Sequence, residues 1–171
     1  MAQLASAFES RGVKMLLMSC DTPAQHHAWA ADIRALVDVP ELPYPILSDP
    51  TREVASKLGM LDPHISDGDG MPLTVRGVFI IGPDLLVRAI TYYPLYIGRG
   101  FYELLRAIDA LQLAEKGLVA TPDDWRQGEP VLISPKLSTK EALARFPGDV
   151  SVVNLPSSKS YLRITSGTAS S

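Results

Sequence analysis

Only one thiol, Cys20, occurs in the 171 residues. A lone cysteine cannot close an internal disulfide, so a small secreted module stapled by disulfides is excluded. No apolar run approaches the ~20 residues of a membrane-crossing helix, and the first residues lack the basic-then-apolar pattern of a secretory leader. Lysine and arginine number 16 against 19 acids, a net charge of -3. With no Lys/Arg run longer than a pair, the electrostatic footprint of a nucleic-acid binder is missing. Cys-x-x-Cys, Gly-x-Ser-x-Gly and phosphate-cradling glycine loops are missing too. What is there is ordinary: 46% hydrophobic and 20% charged residues, the balance of a folded globular chain rather than a disordered one. The length suits one domain with a small appendage, and a reduced, cytoplasmic compartment is the expectation.

Residues 1–11 read as the end of a helix, with Leu4 and Phe8 on one face and Gly12 as a left-handed stop. A helix at the first residue has no N-cap. Residues 13–18, VKMLLM, read as a buried strand. Thr22-Pro23-Ala24-Gln25 has the form of a capping box with proline at the first helical position. The helix it opens carries Trp29, Ile33, Leu36 and Val37 as a core-facing stripe. Ile46-Leu47 is extended, Asp49-Pro50 starts a short helix with Val54 and Leu58 four apart, and residues 59–72 form a polar loop. Strands are predicted over 75–81 and 85–92, joined by the turn Gly82-Pro83-Asp84. A helix over 98–113 turns Phe101, Leu104, Leu105 and Ile108 inward. This order is an α/β or α+β pattern.

Composition shifts at 114–125. Beyond it come short strands over 131–134, 150–153 and 161–164, and a helix capped by Ser138-Thr139-Lys140-Glu141. The domain reading is 1–113, then an appendage over 114–165 too small for a sizeable core of its own, then a disordered tail over 166–171.

Arg76 interrupts the apolar run VRGVFII. A guanidinium inside a buried strand costs several kcal/mol unless it is paired or faces a polar cleft; an edge strand with Arg76 turned to solvent is the other reading. Cys20, His26, His27 and His64 invite a metal site, but adjacent histidines on a helix point about 100° apart, and helix-terminus histidines are the simpler account. Asp67-Gly68-Asp69-Gly70 has part of a calcium-loop pattern without the remaining ligand spacing, so a turn is expected. No metal and no cofactor is expected. Cys20 precedes a helix N-terminus, which favours a thiolate, while Asp21 opposes one; residues alone favour a structural thiol.

Taken in order, VKMLLMSCDT, HHAWAADI, LPYPILSDPTREVASKLGMLD, GMPLTVRGVFIIGPD and YYPLYIGRGFYELLRAIDALQ resemble a 1-Cys peroxiredoxin. VATPDDWRQGEPVLISP and LPSSKSYLRIT resemble the C-terminal extension that one branch of that family carries. The resemblance covers nearly the whole chain. It implies a thioredoxin-like α/β fold with a small α+β extension, and reduction of hydrogen peroxide and organic hydroperoxides, with an external thiol as reductant and a homodimer as the assembly. It also implies site residues: Arg76 matches the arginine that activates the family's peroxidatic cysteine, and Arg99 a second arginine near the same site. His26 matches a histidine of the family's helix opening, while His27 stands where an apolar residue is usual.

The family's Pro-x-x-x-Thr-x-x-Cys motif occurs nowhere in these 171 residues. Cys20 matches a position after the following strand, and MAQLASAFESRGVK resembles the later part of the helix that the peroxidatic cysteine opens. The expectation is an N-terminally truncated member without the strand that lies between those matching 13–18 and 75–81. The two strands would then keep unpaired edges or draw together. Asp84 matches the acid of a Ser-His-Asp set tied to a phospholipase activity in some members, whose serine and histidine find no match. The function expected is a family thiol peroxidase inactive as this chain alone. A non-catalytic dimerisation or regulatory module, or residual peroxidase activity at Cys20, are the alternatives.

Overall fold

The computed structural model describes residues 1–116 and 118–166. The chain divides into two compact units, Met1–Phe101 and Tyr102–Ser171. The first unit ends where the long helix begins. The reason is packing: Ala110 and Leu113 on that helix lie against the C-terminal core.

In the first unit a 3-10 turn, Ala2–Leu4, runs into α1, Ala5–Glu9. Phe8 is buried, and the chain turns back through Gly12 at φ +68°, a conformation open to glycine at little cost. Strand β1, Leu17–Ser19, pairs in parallel with β2, Ile46–Ser48. Parallel neighbours need a crossover, and α2, Pro23–Val37, supplies it. The capping box that opens α2 is formed: Thr22 accepts from the Gln25 N–H, and Gln25 accepts from the Thr22 N–H at 2.8 Å. Short helix α3, Glu53–Lys57, follows a left-handed Arg52. Buried Asp49 caps it by accepting from the N–H groups of Val54 and Ala55, at 3.2 and 2.8 Å.

Three sequence expectations fail here. The strand expected over 13–18 is paired only at Leu17–Ser19. The region 59–72 is not a loop: β3, Leu61–Ser66, pairs antiparallel with β4, Pro72–Thr74. Arg52 holds that hairpin to α3, donating to the Pro72 carbonyl at 2.9 Å and pairing with Asp67 at 2.6 Å. Asp67 also accepts from the N–H groups of Met71 and Asp69, which makes the Asp-Gly-Asp-Gly segment a turn. The apolar stripe of α2 is not core: Leu36 is 78% and Trp29 43% exposed, and only His26 on that helix is buried. An amphipathic helix buries its stripe only against a sheet wide enough to take it, and the sheet formed by β1 and β2 is two strands of three residues.

Strand β5, Arg76–Ile81, and β6, Val87–Tyr93, form an antiparallel hairpin in which Arg76 faces Tyr93 and Ile80 faces Ala89. The turn between them closes by a Gly82 N–H to Leu86 carbonyl bond of 2.8 Å, with Leu85 at φ +65°. Among the described residues, strand β5 pairs only with β6, and β1 only with β2. The two strands are not drawn together, so each keeps one edge without a ladder partner. The buried apolar residues of this unit are Ala2, Phe8, Tyr44 and Ala55.

The long helix α4 spans Phe101–Lys116 and buries Leu105 and Ile108. Beyond it β7 (Val119–Ala120), β8 (Val131–Ile133), β9 (Ser151–Val152) and β10 (Arg163–Thr165) form an antiparallel sheet in the order β7-β8-β10-β9. Helix α5, Thr139–Arg145, has its predicted capping box, Ser138 with Glu141. The segment expected to be too small for a sizeable core of its own has a buried core. Val119, Trp125, Val131, Ile133, Ala142 and Phe146 make one buried cluster, and the largest fully buried side chains of the described residues, Phe146, Ile133 and Val131, all belong to it. Alternation explains it: Val131 and Ile133 point to the same side of β8, where α5 supplies Ala142. Arg163 is buried as well and donates through Nη2 to the carbonyls of Ser134 and Leu137.

Asp149 ties down the chain's last described residues. Its carboxylate accepts from the hydroxyl of Ser166, the hydroxyl of Thr165 and the N–H of Ser166, at 2.7, 2.6 and 2.9 Å. These bonds, the Ser166 hydroxyl foremost, hold Asp149 below the usual carboxylate range. Ser166 of the expected tail is therefore anchored; residues 167–171 lie outside those described. A carboxyl lowered on folding stabilises at pH values above its unfolded pKa, and that contribution is lost as the pH falls through the folded value. Acid unfolding followed by Trp125 fluorescence in a Trp29→Phe background is expected to show less loss of stability below about pH 4 in Asp149→Asn than in the parent. Identical acid limbs would remove Asp149 from the account.

Candidate functional site

Arg76 is the first residue of β5, and it is exposed. Its register partner Tyr93 ends β6, so the segment after β6 returns beside the start of β5. The Arg76 Nε donates to the Leu95 carbonyl at 3.1 Å, and a turn closes the segment through an Ile97 N–H to Pro94 carbonyl bond of 2.9 Å. The Arg76 bond fixes the stem of the side chain and leaves its terminal nitrogens for other partners. The next residue, Gly77, leaves little room for a side chain. A Cβ at Gly77 would lie 2.9 Å from the Met60 Cε and 3.1 Å from the Tyr92 ring, a ring held by its hydroxyl on the Leu58 carbonyl and by edge contact with Phe79.

Arg99 leaves the same turn. Its guanidinium lies 6.0 Å from the centroid of the Phe101 ring, within cation–π range. Burial first, and the Arg76 charge second, hold it below its ordinary pKa. The two arginines singled out in the sequence lie on different segments of the chain, and the Arg76 charge acts on Arg99. The exposed-edge reading of Arg76 describes where its side chain lies, but the cation has a neighbour of its own sign.

Cys20 is half-buried at the exit of β1. Burial pushes its thiol up; Arg52 partly offsets this, and Asp49 and Asp21 add to it. Neither Arg76 nor Arg99 is among the charges acting on it. The surrounding polar groups are satisfied by one another: the Ser19 hydroxyl donates to Asp21 at 2.7 Å and bonds His26 Nε2 at 2.7 Å, and the Ser48 hydroxyl donates to the Asp21 carbonyl. Because the single Ser19 hydrogen goes to Asp21, His26 Nε2 carries its proton and donates. This arrangement does not activate a nucleophile, which needs histidine as acceptor. His27 and His64 are exposed, and no group of three or more His, Cys, Asp or Glu residues able to hold a metal occurs among the described residues. Asp84 sits in the turn at the opposite end of the hairpin, beyond the roughly 17 Å that Arg76–Ile81 spans at the usual strand rise, where Arg88 pairs with it at 2.9 Å. Sequence reasoning missed Arg52, the cation that acts on the thiol; its only signal was a long side chain shortly after an Asp-Pro turn.

Residues 1–90 match the AhpC/TSA family and residues 110–148 the C-terminal domain of 1-Cys peroxiredoxin. Peroxiredoxin-6 of Gallus gallus is 48% identical over 167 residues, 96% of this chain and 75% of the relative. The 1-Cys peroxiredoxin A of Oryza sativa subsp. japonica is 44% identical over 165 residues, with the same coverage. A cysteine-mutant crystal structure of the peroxiredoxin 6 of Arenicola marina superposes with a TM-score of 0.92 at 47% identity, covering 96% of this chain and 74% of that one. The yeast mitochondrial 1-Cys peroxiredoxin, described with a thiol resolving mechanism via glutathione/thioredoxin systems, gives 0.84 at 36% identity, covering 99% and 76%.

The fold is therefore thioredoxin-like α/β with a C-terminal extension, the architecture of a thiol peroxidase. The chain belongs to the 1-Cys peroxiredoxin family.

Proposed function

We propose that this chain carries the arginine half of a hydroperoxide-reducing site, with Arg76 and Arg99 as its binding and polarising groups. In the reaction a cysteine thiolate attacks one oxygen of the peroxide, the O–O bond breaks, the sulfur becomes a sulfenic acid, and the other oxygen leaves as hydroxide or alkoxide that takes up a proton. An external thiol then condenses with the sulfenic acid, releasing water, and a second thiol reduces the mixed disulfide. Two guanidiniums beside the reacting oxygens offset the charge that develops on the leaving oxygen. The observation carrying the reading is that Arg76, held by its Nε on the Leu95 carbonyl at the open end of the β5–β6 hairpin, is the charge that acts on Arg99. A homodimer in a reducing, cytoplasmic compartment completes it; the unpaired Cys20 thiol supports that compartment.

Cys20 is not the nucleophile in this reading, because burial raises its pKa and no arginine of the pair acts on it. With dithiothreitol as reductant, the 171-residue chain is expected to consume hydrogen peroxide no faster than its Cys20→Ser variant. Turnover lost in that variant alone would make Cys20 catalytic. When the chain is joined to a segment bearing the family's Pro-x-x-x-Thr-x-x-Cys motif, turnover is expected to appear. Arg76→Gln in that chimera should then lower kcat/KM by about 10²–10³-fold, the scale of removing one transition-state donor. A chimera whose turnover is unchanged by Arg76→Gln would overturn the role given to this arginine.

A further inference from the structure

We propose that Tyr92 is the positioning residue of Arg76, fixing the place of the guanidinium that the peroxidase reading sets beside the reacting oxygens. The proposal rests on that reading for its catalytic consequence and on the hairpin geometry for its cause. Arg76 and Tyr93 form the last pair of the β5–β6 ladder at its open end, and Gly77 and Tyr92 form the pair before it. The end of a ladder is where fraying starts, and a strand glycine weakens it further because it has no side chain to pack. Yet the Arg76 Nε reaches the Leu95 carbonyl at 3.1 Å. Leu95 follows Tyr92 closely in the chain, so this bond holds only while the end of the hairpin keeps its register.

The segment Leu58–Met60, just after α3, ties both strands at that end. The Met60 carbonyl accepts from the N–H of Val75, the residue before Arg76, at 2.8 Å. The Leu58 carbonyl accepts from the Tyr92 hydroxyl at 2.5 Å. Gly77 lacks a side chain, and its place is taken by two neighbours: the Met60 Cε and the Tyr92 ring stand 2.9 and 3.1 Å from where a Cβ would be. Aromatic cover of a strand glycine restores packing that the glycine gives up. Edge contact with Phe79 holds the ring in that position. Tyr92 thus acts on Arg76 twice, through its cover of the adjacent Gly77 and through the place of the Leu95 carbonyl.

Proton–nitrogen NMR of the full chain at mildly acidic pH tests this through the exchange of the Arg76 Nε–H with water, a signal identified by its loss in Arg76→Gln. Tyr92→Phe removes one neutral hydrogen bond and should speed that exchange by a factor of about three to ten. Amides around Ile80 and Ala89, toward the far end of the hairpin, should not change. Tyr92→Leu, which also uncovers Gly77, should speed the exchange further, and Tyr102→Phe at an exposed position should leave it alone. An unchanged Arg76 Nε–H in Tyr92→Phe overturns the proposal, as does equal acceleration at both ends of the hairpin, the mark of a merely structural residue. In the peroxidase chimera Tyr92→Phe should lower kcat and kcat/KM together, the signature of an interaction made in the transition state, and by less than Arg76→Gln. Turnover cut by Arg76→Gln but undiminished by Tyr92→Phe overturns the proposal. A freed Nε–H in Tyr92→Phe, with turnover indifferent to Arg76→Gln, would sink the peroxidase reading alone.

Discussion

Phe146→Ala is expected to remove most of the stability of the C-terminal unit. Phe146 is 1% exposed and sits among Val119, Trp125, Val131, Ile133 and Ala142. Truncating a buried phenylalanine loses the transfer free energy of the ring and leaves a cavity, together about 3–5 kcal/mol. A domain of ordinary size is stable by only about 5–15 kcal/mol, and small units lie at the low end because they bury a smaller share of their surface. The same truncation at Leu36, 78% exposed on α2, removes almost no buried area, so Leu36→Ala should change stability by less than about 0.5 kcal/mol. Urea unfolding read by Trp125 fluorescence, in a Trp29→Phe background, measures both. A loss under about 1 kcal/mol for Phe146→Ala would mean that this cluster is not the core of the unit.

That contrast between Phe146 and Leu36 shows which parts of the fold were legible in the sequence. Both capping boxes, at Thr22 and Ser138, were readable because a cap is a contract between residues three apart. The turn after Ile81 was readable for the same local reason. Burial was not. The stripe on α2 has core-like spacing, yet a helix face is buried only if a partner covers it, and spacing cannot report the width of the neighbouring sheet. The β3–β4 hairpin was hidden because Pro63 interrupts Leu61–Ser66, and proline within a run argues against a strand, and because its hold on α3 runs through Arg52, a long-range contact. For the site, the run VRGVFII marked Arg76 as anomalous, but two readings of it stayed open. Its place beside the segment that leads to Arg99 depends on the β5–β6 register and on the turn after Tyr93, which no residue spacing encodes; the family resemblance, not the pattern, pointed to those two arginines. Asp21 alone argued against an activated Cys20, and the structure adds burial as the larger cause.

Hydrogen exchange should separate the two units as sharply as mutation does. Strand β8 is paired on both edges, by β7 and β10, and its side chains Val131 and Ile133 are fully buried. Opening it requires breaking two ladders and exposing the core, so its amides should exchange only through unfolding of the whole unit. Strands β1 and β5 each have one ladder, and no residue of either is fully buried. In an antiparallel pair successive N–H groups alternate between the partner and the opposite edge, so alternate amides of β5 have no strand to bond. Those amides should exchange at least about a hundredfold faster than those of Val131–Ile133, whereas the Leu17 N–H of β1, bonded to the Pro45 carbonyl, should be slowed relative to them. An unpaired edge is also a template for another strand. Any ligand or partner that adds a strand to β5 should therefore slow the fast half of its amides and leave β8 unchanged. Equal protection of β1, β5 and β8 in the isolated chain would show that the open edges seen here are closed in solution, and with them would fall the reason given for the exposed stripe on α2.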